Sequence, residues 1–205
     1  MSEYTTQLPR RIQLDGEWEV ALAEIQYPRT WNNVRNRENG VYVIPSTGNT
    51  PQAKHIPVGY YPDMTTLIKN INGVIAEAGQ QAKDNIMFSY DSLSGRVHIE
   101  IKNGAQVSFL NDLATILGFE PIPFQRNIDK TTTSPRVADV DAALCNLYTY
   151  VDLISPQLVG DTEVPLLRIL PVEGKHGDMV TKAFQNLQYL PIVKKQFSTV
   201  EDRHR

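Results

Sequence analysis

Runs of Val, Ile, Leu, Tyr and Thr recur along nearly the whole chain, each about five to twelve residues long and set off by Gly, Pro, Asn and Asp clusters, which is the rhythm of a β-sandwich. The clearest run is residues 96–102. There Val97, Ile99 and Ile101 alternate with Arg96, His98, Glu100 and Lys102, so one face is dry and the other wet. Ile86, Phe88 and Tyr90 alternate just before it, and residues 91–95 have turn composition, which makes the pair a hairpin. Further strands are expected at residues 11–14, 18–27, 41–44, 144–154, 166–172 and 190–200. Within 18–27, Trp18, Val20 and Leu22 share one face, but Ala23, Ile25 and Tyr27 carry on with the opposite phase. The flip predicts a bulge near Leu22 or a strand covered on both faces.

Two stretches follow a helical period instead. Over residues 62–79, Leu67, Ile68, Ile71, Val74, Ile75 and Ala78 recur at helical spacing, with Asp63 as N-cap and Gly79 as the stop. Over residues 108–118 the stripe is Leu110, Leu113, Ala114 and Leu117, with Ser108 capping and Gly118 terminating. Both lie between strands, as insertions into a mainly β sandwich would. Residues 124–137, with three consecutive threonines and two prolines, read as a long irregular loop, and no internal repeat is present. A chain of 205 residues fits one all-β domain. Residues 1–9 are expected to be a flexible arm, 10–200 the domain, and 201–205 a charged tail.

Composition bounds the chemistry. A net charge of −3 argues against broad attraction to nucleic acid. With Cys145 as the sole cysteine no intramolecular disulfide can form, which suits a protein that folds in a reducing compartment. The opening MSEYTTQLPRR lacks the apolar run of a signal peptide. Apolar stretches such as 166–172 are broken by Arg168 and Pro171, far short of the ~20 residues of a membrane span.

A search for an active site returns nothing catalytic, no cofactor loop and no metal site. His55, His98, His176 and His204 stand apart, and none is paired at zinc-ligand spacing. His98 reads as a surface residue of its strand. Cys145, in the run Ala142–Leu147, reads as buried strand core rather than a nucleophile. Asp161 and Glu163, with Asp152 upstream, offer too few oxygens for calcium and read as a Gly-Asp turn. Gly174-Lys175-His176-Gly177 lacks the ending and setting of a phosphate loop. Lys194, Lys195, Arg203, His204 and Arg205 read as charges guarding a solvated edge.

Two blocks carry more. The first is residues 14–28, LDGEWEVALAEIQYP, followed by Thr30-Trp31; it holds Trp18, Glu24, Tyr27, Pro28 and Trp31. The second is residues 147–154, LYTYVDLI, then Pro156-Gln157, Val159-Gly160-Asp161 and residues 164–168, VPLLR; it holds Tyr150, Asp152, Gly160, Asp161, Pro165, Leu166 and Arg168. Both resemble signatures of the minor capsid (penton) proteins of Polinton or Maverick elements and adintoviruses. The resemblance implies a virophage-like single jelly roll with two short helical insertions. It also implies a homopentamer that seals the five-fold vertices of a virion beside a double jelly-roll major capsid protein. Relatives of that family continue past the segment matching residues 193–200 into a further strand, whereas this sequence reads on only through Glu201-Asp202-Arg203-His204-Arg205.

Core and turn residues specify a fold rather than a ligand. Trp18 and Trp31 are expected to anchor one sheet on the other. A closed ring needs two different complementary flanks, expected in residues 27–40 and 55–61, which are rich in tyrosine and proline. Residues 190–200 are expected to form the last strand, at an open sheet edge. The competing functions are a ligand- or receptor-binding sandwich, which would show aromatic loops at one end, and a cysteine protease built on Cys145.

Overall fold

The computed structural model describes residues 2–35, 39–120, 126–142 and 145–204. Along the chain, the first segment holds β1 (Ser2–Gln13), β2 (Glu19–Val20) and β3 (Glu24–Pro28). A middle segment follows, with β4 (Gly40–Ile44), β5 (Gln52–His55), α1 (Met64–Ala76), α2 (Gln80–Asn85), β6 (Ile86–Asp91) and β7 (Arg96–Ile101). It continues through β8 (Gln106–Phe109), α3 (Asn111–Ile116), β9 (Arg126–Ile128) and β10 (Thr132–Thr133). The last segment holds β11 (Asn146–Val151), β12 (Gln157–Val159), β13 (Thr162–Val164), β14 (Leu166–Pro171), β15 (Met179–Ala183), β16 (Leu190–Pro191) and β17 (Gln196–His204). The described chain falls into two compact units. One joins residues 1–30 to 145–205, and the other is residues 31–144.

The first unit is the jelly roll. Counting β2 with β3 and β15 with β16 as single interrupted strands leaves eight, the number of a jelly roll. The first, eighth, third and sixth form one sheet in the order β1-β17-β11-β14. The second pairs with the seventh, through β3 with β15 and β2 with β16, and the fourth with the fifth, β12 with β13. An isolated bridge pairs Ile154, in the link between β11 and β12, with Ile192, which directly follows β16. This is the wrapping order of two Greek keys, so the expected jelly-roll class holds. The phase flip near Leu22 appears as a gap between β2 and β3, after which the ladder resumes one face over.

Residues 2–13 are not a loose arm. β1 pairs with β17 from Ser2–His204 to Gln7–Thr199, and resumes at Ile12–Phe197 after a bulge. Its Thr and Gln residues are exposed, so pairing comes from backbone rather than apolar alternation, and no hydrophobic pattern announces it. The charged tail is likewise strand: residues 201–204 run in β17, flanked by β1 and, at Thr149–Val151, by β11. The last strand is therefore interior rather than at the edge, and β1 is the edge. The jelly roll draws on residues 2–30 and 145–204, not on one stretch from 10 to 200.

The inserted unit has the larger core. Two sheets, β5-β4-β8-β9 and β10-β7-β6, carry Val41, Val43, Val107 and Phe109 from one and Phe88, Val97 and Ile99 from the other into a single cluster with α1 and α3. Phe109 contacts Phe88 edge-on at 6.4 Å between centroids and Phe119 at 5.6 Å. The hairpin forms in the expected register, Ile86–Ile101 through Asp91–Arg96. α1 starts where Asp63 accepts a hydrogen bond from the Thr66 amide at 2.7 Å, and buries Leu67, Ile68, Ile71, Val74 and Ile75. α2 is an additional short helix. α3 starts later than its stripe implied: Ser108 lies in β8, and Leu110 stands at the N-cap with no side-chain bond. Gly118 closes it at φ +78°.

The threonine-rich loop supplies structure. β10 pairs Thr132 with Ile99 and Thr133 with His98, and Thr131 Oγ1 accepts from the Ile101 amide at 3.0 Å. Asparagines act as extra peptide groups. Buried Asn33 exchanges two 2.9 Å bonds with the Tyr61 backbone, and half-buried Asn72 of α1 exchanges bonds of 2.8 and 2.9 Å with the Phe88 backbone, on the open side of β6. Among the described residues no helix is long and apolar enough to cross a membrane.

Candidate assembly surface

In the jelly-roll unit the residues of the two blocks make internal contacts. Tyr27 is buried in β3 and its hydroxyl accepts from the Glu173 amide at 3.3 Å, while Glu24 and Pro28 hold the outer face of that strand opposite Ala183 and Met179. Gly160 has φ +66°, whereas Asp161 keeps a negative φ, so the β12–β13 link is a two-residue turn with glycine first. Asp161 accepts from the Thr162 hydroxyl at 3.1 Å. The Pro165 carbonyl accepts from Val151, Leu166 pairs with Tyr150, and the Arg168 guanidinium lies 3.9 Å over the Phe184 ring while donating to the Asn186 carbonyl.

Asp152 has the widest reach. One carboxylate oxygen ion-pairs with Lys194, and the other accepts from the Glu201 amide at 3.0 Å. A single half-buried side chain thus joins the end of β11 to the segment before β17 and to β17 itself. Lys195 donates to the Gly16 carbonyl. The two lysines are internal ties, not guards on an open edge.

Three expectations change. Cys145 is exposed, since it precedes the alternation that buries Leu147, Thr149 and Val151; Ala143 and Leu144, in the same expected run, lie outside the described residues. Trp18 is 51% exposed, with its indole N–H on the Asp15 carbonyl, and Trp31 belongs to the inserted unit, so they do not form a shared anchor of the sandwich. The loops expected as ring flanks are only partly surface: Tyr27, Val34, Ile56 and Tyr61 are buried, whereas Pro28, Pro57 and Val58 are exposed, and residues 36–38 of the first loop lie outside those described.

Exposed apolar surface of the jelly-roll unit lies elsewhere. Tyr189 and Val193 flank β16 at 58% and 52% exposure, Ile169 stands on β14 opposite Tyr148, and Leu158 sits on β12. Period-2 spacing of Tyr189, Pro191 and Val193 was readable from the sequence, but the last two sat within residues 190–200, read as a strand at an open sheet edge. Among the described residues, no group of three or more His, Cys, Asp or Glu could hold a metal ion. Asp152, Asp161 and Glu163 do not gather, and His98 faces Thr133 at 2.7 Å.

This arrangement has a counterpart among solved structures. The mavirus penton protein superimposes with a TM-score of 0.51 at 14% identity, over 99% of this chain and 82% of that one. The fold is penton-like. No family model matches the chain, and no curated protein matches it. At that identity the likeness is one of fold.

Proposed function

We propose that this chain is a structural minor capsid protein of the penton type. In this reading it is not an enzyme and takes no cofactor. It forms a homopentamer that closes the five-fold vertices of an icosahedral virion, meets a double jelly-roll major capsid protein there, and belongs to a Polinton- or adintovirus-type element. The observation that carries the reading is the full-length likeness to a penton, reinforced by the eight-strand order of the first unit. The internal contacts made by the two signature blocks agree with it, because a vertex protein needs a rigid frame rather than a reactive centre.

A binding sandwich would gather aromatic side chains in loops at one end; here the exposed Trp18 and Tyr189 accompany the β2–β16 ladder instead. Native mass spectrometry of the purified full chain tests the proposal. Five copies of the 23.1 kDa subunit are expected, and a mass that stays at one subunit at every concentration would remove the self-assembling vertex protein.

A further inference from the structure

Residues 189–193, Tyr-Leu-Pro-Ile-Val, are apolar without a break. An uninterrupted apolar strand is the pattern of one covered on both faces. In the single chain only one face is covered. Leu190 and Ile192 pack on the cluster of Val151, Leu153 and Ile154, while Tyr189, Pro191 and Val193 alternate with them and face outward, Tyr189 at 58% and Val193 at 52% exposure. The cations next in sequence do not shield this stripe, because Lys194 is held by Asp152 and Lys195 by the Gly16 carbonyl.

A second copy of the chain is the occupant that fits. Permanent interfaces between identical subunits are the strongly apolar ones, whereas surfaces that meet separate partners resemble ordinary protein exterior. The jelly-roll unit is also thinly filled: its buried apolar residues among those described are Tyr27, Leu147, Val151, Leu153, Ile154 and Leu170. Each half-exposed large side chain of the stripe leaves on the order of 100 Å² open, so the stripe is the centre of a patch that must approach roughly 800 Å² per partner. A ring also requires a different receiving patch. The outer face of the opposite sheet offers the cross-strand pair Tyr148 and Ile169, the latter 46% exposed.

We propose that the ring, on the penton reading given above, is held by the Tyr189–Pro191–Val193 stripe of one copy seated on the Tyr148–Ile169 face of the next. The test is the mass of full-length variants. Tyr189→Asp with Val193→Asp should reduce the ring to single subunits while far-ultraviolet circular dichroism stays native, and Ile169→Asp should do the same. Mixing the two variants leaves one good stripe and one good receiving face, so dimers should form and grow no further. Leu158→Asp, an exposed apolar residue elsewhere on the same unit, should leave the ring intact. If the wild type forms a ring and the stripe or Ile169 variants keep it, this inference falls and the penton reading stands. If the wild type itself stays single, the proposed ring falls and takes the inference with it.

Discussion

Two glycines with similar backbone angles should respond differently to an added methyl group. A Cβ at Gly118 would stand 2.4 Å from the Arg136 carbonyl oxygen, and φ is +78°, so Gly118→Ala combines strain with a backbone clash. A loss of about 3 kcal/mol is expected by chemical denaturation. Gly160, at φ +66°, meets nothing within 4 Å, so Gly160→Ala should cost only about 1 kcal/mol. Cys145, being exposed, should react with a thiol reagent as fast as a small-molecule thiol of the same acidity, with no unfolding, and Cys145→Ala should change stability by less than about 0.5 kcal/mol. Slow labelling that tracks unfolding would return Cys145 to the core. Backbone and side-chain hydrogen bonds from Thr66 hold the Asp63 carboxyl below its ordinary 3.8. A depressed folded value means that the cap contributes fully above about pH 4 and is lost as pH falls through the lower folded value. Asp63→Asn should flatten that part of the melting-temperature profile in acid while keeping an N-cap at neutral pH.

At the level of elements, Asp152 is the joint to test. Asp152→Ala removes the partner of Lys194 and the acceptor for the Glu201 amide together, and a loss of about 1–2 kcal/mol is expected, read by urea denaturation. Lys194→Met should cost less, because the bond to the Glu201 amide survives. What the sequence revealed here depended on burial. The β6–β7 hairpin and α1 were legible because each hides one face, so period 2 and period 3.6 stand out at Val97, Ile99 and Ile101 and at Leu67, Ile71 and Ile75. Residues 2–10 of β1, β10 and β15 were not, because exposed or half-exposed Thr, Gln and Lys residues mark no face and these strands exist through pairing with distant partners; only the end of β1 fell within the strand expected at 11–14. The same reason hid the end of the chain. Without β1 in view, β17 had one neighbour instead of two. Of the site, the turn at Gly160-Asp161 was readable from residue type alone, whereas the long-range bonds of Asp152 and Asn72 need the folded chain.

Across the whole molecule, the two units differ in how much they bury. Phe88, Phe109, Phe119, Leu67 and Ile71 are all fully inside the inserted unit, while the jelly roll leaves Trp18, Ile169, Met179 and Tyr189 open. Local stability should follow. In hydrogen exchange of the full chain held as single subunits by the stripe substitutions, the slowest amides are expected in α1, β6 and β7, with β1, β3 and β15 exchanging faster. Equal protection in both units would show that the jelly roll does not need neighbours to be stable. The single-domain reading of the sequence missed this division because the helical stretches at 62–79 and 108–118, both within residues 31–144, read as insertions between strands of one sandwich rather than as parts of a separate unit. The central claim, a penton-type vertex protein, predicts a symmetry as well as a mass. Electron-microscopic class averages of the purified full-length protein should show closed rings with five-fold symmetry, and averages showing only single subunits or two-fold pairs would contradict it.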